Sequence, residues 1–127
     1  MSQSLGFTGN LRFQPTDLSP PAIVPISINS AFSMRGGFDV SETGVTTNVA
    51  IPMGSITSPV LIYIEVYQGT FNVASDVGGT HPFPISVNTT PVPTDKAYFL
   101  LYNPAPQALS IWLSTPGAAS GRIWIFG

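Results

Sequence analysis

The chain has 127 residues, of which 43% are hydrophobic and only 8% are charged, against about 25% charged in an ordinary soluble domain. This length suits one domain with a sizeable core. Four dispersed basic residues give no footprint for nucleic acid, and the absence of cysteine excludes disulfides, thiolate nucleophiles and cysteine-ligated zinc. With so few charges, copies of the chain repel one another only weakly, and we expect a protein that works assembled with other subunits. The alternative is a soluble domain with a polar but uncharged surface, such as a secreted lectin.

Neither a leader nor a membrane segment is predicted. The start, Met-Ser-Gln-Ser, lacks the basic and then apolar pattern of a signal peptide. The most apolar stretch, 60–64, is stopped by Glu65 and is far shorter than the roughly 20 residues that span a bilayer. We therefore expect synthesis in a cytoplasm and no membrane partner.

Alternation of apolar and polar residues with a period of two predicts strands, and no stretch has helical periodicity. In chain order the predicted strands are 6–13, 23–29, 32–40, 45–51, 60–66, 71–73, 83–87, 97–102, 108–114 and 122–126. Turn-forming segments rich in Pro, Gly, Asn and Asp separate them. The row Val60 to Val66, the turn 67–70 and the row Phe71 to Val73 together predict a β-hairpin.

Eight to ten short strands at this spacing predict a single all-β domain over 1–127, an antiparallel β-sandwich. A jelly-roll-like sandwich is favoured because eight strands fill it, and an immunoglobulin-like sandwich is the alternative. Four prolines mark 14–25 as an arm or edge segment, or else a surface loop.

Catalytic chemistry is not predicted. His81 is the only histidine and lies in a turn sequence, so we predict a solvated loop residue. Asp39 and Glu42 match no calcium-loop spacing and are predicted to lie in a solvated turn. The glycine pairs 36–37 and 78–79 lack phosphate-binding patterns and are predicted to allow turns with positive φ. The sequence thus predicts no enzyme, no cofactor and no metal.

In three predicted strands, one face carries a complete row of aliphatic residues and the other face carries large aromatic residues. Such a second face suits a protein interface, where Trp, Tyr and Arg are enriched. A sugar-stacking platform and a second internal layer under the proline-rich segment are the alternatives. The predicted interface residues are Leu61, Tyr63, Tyr67, Trp112, Arg122, Trp124 and Phe126.

Three segments give the chain a resemblance to small structural proteins of tailed bacteriophages: 49–56, 60–71 and the end Gly121-Arg122-Ile123-Trp124-Ile125-Phe126-Gly127. The chain looks like a capsid decoration (cement) protein or a related head or tail accessory. The resemblance implies a virion protein that is made in the host cytoplasm, forms homo-oligomers and contacts the major capsid protein or other virion subunits. A carbohydrate- or receptor-binding module of a tail fibre or lectin-like protein is the alternative.

Overall fold

The computed structural model describes residues 3–17, 19–32, 35–75, 81–87, 96–103, 105 and 108–127, which form ten β-strands and no helix. The strands are β1 (Gln3–Phe13), β2 (Ala22–Phe32), β3 (Arg35–Glu42), β4 (Thr46–Ala50), β5 (Leu61–Gln68), β6 (Thr70–Ala74), β7 (Phe83–Ser86), β8 (Ala97–Tyr102), β9 (Trp112–Thr115) and β10 (Ala119–Phe126). Contacts divide the chain into two units, residues 1–33 and 34–127.

The first unit is an antiparallel hairpin of β1 and β2. Residues directly opposite each other in such a pair project to the same side, and successive residues alternate sides. One side is consequently apolar, because Phe7 lies opposite Ile28 and Leu11 lies opposite Val24. The predicted proline-rich segment 14–25 falls in this unit, with 14–21 joining the strands and Pro25 inside β2.

The second unit contains two four-stranded antiparallel sheets, with strand orders β3-β10-β5-β8 and β4-β9-β6-β7. Pairing is nested: β3 pairs with β10, β4 with β9, β5 with β8, and β6 with β7. This order results when one long hairpin of strands folds over on itself. The predicted all-β antiparallel sandwich is confirmed. The jelly-roll form, with the immunoglobulin-like form as its alternative, stays a prediction.

The core lies between the two sheets and is filled by alternate residues of their strands. Ile62, Ile64 and Ile123 from the first sheet pack with Phe71 and Val73 from the second. All five side chains are almost completely buried. Burial of these side chains supplies the main driving force that holds the sheets together, because each contributes roughly 1.5–3 kcal/mol on removal from water.

The predicted hairpin between the Val60 row and the Phe71 row is wrong. β5 and β6 belong to different sheets, and the chain crosses from one to the other at Gly69. Gly69 has φ +75°, and a Cβ there would meet the Ala118 carbonyl oxygen and lie 3.0 Å from the Ala119 Cα. The glycine therefore makes a tight corner between sheets rather than a hairpin turn.

Two further local predictions are corrected. The alternation in the predicted strand 45–51 places Val45, Val49 and Ile51 on one face, but only Ile51 is buried, whereas Val45 and Val49 are 73% and 49% exposed. A register shift between Thr46 and Val49, with Asn48 at φ 50°, breaks the alternation. Residues 36–37 lie inside β3 rather than in a turn with positive φ. The predicted turns at 76–79 and 90–93 lie outside the described residues.

Candidate interaction face

The outer surface of the sheet β3-β10-β5-β8 carries a concentration of aromatic side chains. Ile62 and Ile64 of β5 point into the core, so the residues between and beside them point outward. The registers of β10 and β8 with β5 bring the outward residues of three strands together. We call this surface the aromatic face; it comprises Leu61, Tyr63, Glu65, Tyr67, Tyr98, Leu100, Tyr102, Arg122, Trp124 and Phe126.

Six of the seven predicted interface residues lie on the aromatic face. Trp124 lies opposite Tyr63, Phe126 lies opposite Leu61, and Tyr67 follows the same outward series in β5. Leu61 is buried, in register between Phe126 and Tyr102. The sequence pattern of β5 and β10 was therefore sufficient to predict this group.

Trp112 does not belong to this group, so the expectation of one face holding all seven residues is wrong. It lies in β9, which pairs with β4 and β6 in the other sheet. Its neighbours Ile111 and Leu113 are in the core, which places Trp112 on the outside of that second sheet. Within the described residues its indole Nε1 is buried and has no hydrogen-bond partner.

Glu65 is the polar centre of the aromatic face. Its Oε1 accepts a hydrogen bond from the Tyr63 hydroxyl at 3.0 Å, and its Oε2 accepts one from the Tyr67 hydroxyl at 2.9 Å. The Lys96 Nζ lies 4.0 Å from Oε2 and 4.8 Å from the centre of the Tyr67 ring. The carboxylate thus fixes two rings and has its charge partly balanced by a lysine.

These contacts change the acidity of both phenols. Burial, followed by the hydrogen bond to Glu65, raises the pKa of Tyr63 above its ordinary value. The hydrogen bond to Glu65 is the main cause that raises the pKa of Tyr67. The Glu65 carboxylate contributes to both shifts, since a phenolate would be placed beside a carboxylate. Both rings therefore stay neutral donors in the physiological range, and neither is prepared to act as a base.

Arg122 and Trp124 form the second polar contact of the face. The Arg122 guanidinium carbon lies 4.4 Å from the centre of the Trp124 ring, and Nη1 lies 3.3 Å from the Asp39 carboxylate. Trp124 lies flat over β3 because Gly37 stands opposite it: a Cβ at Gly37 would be 2.8 Å from the ring. The glycine in β3 is thus explained by the space that the indole occupies.

Tyr98 and Leu100 of β8 complete the face near its exposed edge. The Tyr98 ring is nearly parallel to the Tyr63 ring, at 7° and 6.2 Å between centres. Tyr98 is 59% exposed and Leu100 is 41% exposed. Apolar surface is therefore open to solvent over these strands, which is the property that an interaction site requires.

Four residues of the aromatic face are not among the predicted interface residues: Glu65, Tyr98, Leu100 and Tyr102. Glu65 stands two residues from both Tyr63 and Tyr67, so the same alternation that selected the tyrosines places all three on one side. Tyr98, Leu100 and Tyr102 have the same period-two spacing in β8. Their proximity to Tyr63 depends on the β5–β8 pairing, which the sequence does not specify.

Chemically active groups do not converge elsewhere in the described part of the chain. Among those residues, no three His, Cys, Asp or Glu side chains are placed to hold a metal ion. His81 is exposed, and Asp39 and Glu42 lie in β3 rather than in a turn. A cleft of about 510 Å³ is lined by uncharged side chains, including those of Ile51, Met53 and Leu109.

No protein-family model matches the sequence, and comparisons with curated proteins and with solved structures also give no match. In the described ranges, no helix is long and apolar enough to cross a membrane.

Proposed function

We propose that this chain is a non-enzymatic structural subunit that associates with other protein subunits through the aromatic face. The observation that carries this proposal is the exposure of Tyr98 and Leu100 on a surface already rich in Tyr, Trp and Arg. These residue types dominate the energetics of protein interfaces. The low charge of the chain supports the same conclusion, because association must depend on apolar and hydrogen-bonding groups.

The two ion pairs of the face suit this role. Glu65 faces Lys96 and Arg122 faces Asp39, so a partner that covers the face meets charges that already have counterparts. An uncompensated charge buried at an interface costs several kcal/mol, whereas a paired one costs less. The face is therefore suited to a neutral, apolar partner surface rather than to a strongly charged ligand.

The assembly that we propose is a virion, in which the chain serves as a capsid decoration (cement) subunit made in the host cytoplasm. The resemblance in sequence to small structural proteins of tailed bacteriophages supports this proposal. The partner is then the major capsid protein or another virion subunit, alongside further copies of the chain. Mass spectrometry of purified virions from the source tests it directly, and absence of the chain from the particles would refute it.

The association through the aromatic face is tested by substituting its exposed residues. Full coverage of the exposed part of Tyr98 removes about 120 Å² of surface from water, which is worth about 3 kcal/mol. Tyr98→Ser should therefore weaken binding to the partner by up to about 100-fold. Leu100→Ser should act in the same direction with a smaller effect.

Val49→Ser is the matched control, because Val49 is 49% exposed on the other sheet. Binding to particles and self-association, both followed by sedimentation velocity, should be unchanged in this variant. Retention of full binding by Tyr98→Ser and Leu100→Ser would show that the aromatic face is not the contact.

A carbohydrate-binding module is the second candidate, because one observation favours it. The nearly coplanar Tyr63 and Tyr98 rings, with the Glu65 carboxylate beside them, resemble a platform on which sugar rings stack. A glycan array with the purified protein separates the two candidates. Binding of a glycan that is lost in Tyr98→Ser would favour the module over the structural subunit.

A further inference from the structure

Among the described strands of the second unit, four lie at sheet edges, and three of these carry a feature that discourages pairing with another chain. β3 carries the charges of Arg35, Asp39 and Glu42. β4 is interrupted by the register shift next to Asn48, and β7 is only four residues long and contains Pro84. Native proteins protect the edges of their sheets by such charges, irregularities, short strands and prolines.

The fourth edge strand, β8, has none of these features. Its sequence, Ala-Tyr-Phe-Leu-Leu-Tyr, is uncharged and contains neither proline nor glycine, and it pairs with β5 alone among the described strands. Lys96 precedes the strand, but its ammonium lies 4.8 Å from the centre of the Tyr67 ring and therefore toward β5 rather than beyond the edge. An uncharged edge strand rich in aromatic and aliphatic residues is suited to pairing with another strand.

The backbone groups of β8 alternate between β5 and the open edge. The Asn103 amide donates a hydrogen bond to the Val60 carbonyl at 2.8 Å, which continues the register of β8 with β5. In an antiparallel ladder, every second residue directs its N–H and C=O groups to the same neighbour. The odd-numbered residues of β8 therefore bond to β5, and the backbone groups of Tyr98, Leu100 and Tyr102 point to the edge.

These three residues are symmetric in sequence about Leu100, since a tyrosine lies two residues away on each side. We infer that β8 pairs antiparallel with β8 of a second copy of the chain across a two-fold axis at Leu100. Leu100 then lies opposite its own copy, and Tyr98 lies opposite Tyr102. In this register every N–H and C=O group that β8 directs to the edge has a partner. The inference goes beyond the proposed function, because it concerns the edge of the sheet rather than the coverage of its outer side.

Self-complementarity is the reason that the partner is a second copy, since a two-fold contact joins the same surface of both subunits. On the outer side of the joined sheet each tyrosine meets a tyrosine, and on the inner side Phe99 lies opposite Leu101. Pairs of aromatic and aliphatic residues across two strands stabilise an antiparallel sheet. Because β8 is uncharged, pairing of identical strands places no like charges opposite each other.

The apolar surface continues beside this edge. The Phe83 ring of β7 lies 5.2 Å from the Phe99 ring and is 46% exposed. The two-fold axis places the outer sides of both sheets on the same side of the dimer, so the two aromatic faces become one continuous surface. A dimer formed in this way presents twice the aromatic face to any further subunit.

A charge exchange at Leu100 tests the register, because the residue at the axis faces its own copy. Leu100→Lys and Leu100→Glu each place like charges directly opposite one another. Each variant alone should raise the dimer Kd, measured by sedimentation equilibrium, by about tenfold or more. An equimolar mixture of the two should associate with a Kd within about threefold of that of the unmodified chain, because opposite charges then face each other. High salt should weaken this recovery.

Val49→Lys and Val49→Glu are the matched control pair, because Val49 is 49% exposed and lies in the edge strand β4. Alone or mixed, they should leave the dimer Kd within about twofold of that of the unmodified chain. Leu100→Pro is a second test, since it removes an N–H that points to the edge and edge strands tolerate proline at such positions. It should abolish self-association while the far-ultraviolet circular dichroism spectrum is unchanged. If the proline variant does not fold, the charge exchange decides alone, because mixing restores association only between folded chains.

The outcomes separate this inference from the proposed function. A mixture of Leu100→Lys and Leu100→Glu that does not associate, or an unmodified chain that is monomeric at all concentrations, refutes pairing through β8. If Tyr98→Ser nevertheless weakens binding to particles, the aromatic face is still an interface and only the edge pairing is refuted. If the mixture associates and Tyr98→Ser binds particles fully, the edge pairing is supported and the proposed function is refuted.

Discussion

Gly121 is the position where a single added methyl group should most clearly disturb the sandwich. It lies in β10 at a register shift against β5, where the two strands approach closely. A Cβ at this position would meet the Glu65 carbonyl oxygen and lie 2.8 Å from the Phe71 ring. The backbone carbonyl is held by the sheet and the ring is completely buried, so neither can move away cheaply.

The expected cost of Gly121→Ala is at the upper end of the range for overpacking, about 3 kcal/mol. For a unit of this size, a loss of that magnitude lowers the melting temperature by about 12–24 °C. Thermal unfolding followed by near-ultraviolet circular dichroism measures it. Gly117→Ala is the control, because a Cβ there meets nothing within 4 Å. A melting temperature within 3 °C of the unmodified chain would refute the close approach of β5 and β10.

Two further predictions concern the two sides of β5 and β8. Ile64→Ala should lower the free energy of unfolding by about 2–5 kcal/mol, since Ile64 is fully buried, whereas Tyr98→Ser should hardly change it. Urea unfolding of both variants measures the two effects. A larger loss of stability in Tyr98→Ser than in Ile64→Ala would show that the inner and outer sides of the sheet are misassigned. Glu65→Gln should lower the pKa of Tyr63 and Tyr67, but for Tyr63 only in part because burial is the larger cause. Since both phenol pKa values are raised on folding, their contribution to stability is complete below pH 10 and is lost as the pH rises through the raised values. Ultraviolet absorbance against pH should therefore show phenolate forming earlier in the variant, and coincident curves would contradict the role of Glu65.

Local pattern predicted those parts of the molecule in which the alternation is unbroken. The alternation of β5 and β10 correctly assigned Ile62, Ile64 and Ile123 to the core and Tyr63 and Trp124 to the other side. It failed in β4, because Asn48 adopts a positive φ and the register shifts between Thr46 and Val49, so that Val45 and Val49 do not lie on one side of the strand. One residue with unusual backbone geometry exchanges the two sides of a strand.

Long-range pairing explains the other errors. Trp112 has the same local pattern as Trp124, but its strand joins the other sheet, and no local feature distinguishes the two. The turn at Gly69 has the composition of a hairpin turn, although it connects the two sheets. The membership of a strand in one sheet or the other is decided by partners that are distant in sequence, and a single sequence does not reveal these partners.

The nested order of strands also has a consequence for how the chain acquires its structure. The pairing of β6 with β7 joins Thr70 to Ser86, 16 residues apart, whereas Arg122 of β10 reaches Asp39 of β3 across 83 residues. Proteins dominated by such distant contacts fold slowly, because the entropy of loop closure is lost before the stabilising contacts form. The separate β1–β2 ribbon closes locally and should form within microseconds once its chain is free. During synthesis at high concentration, ribbons with exposed apolar sides would thus be present before the sandwiches are complete. Chaperone dependence and the yield of soluble protein should accordingly be set by the slow closure of β3 on β10.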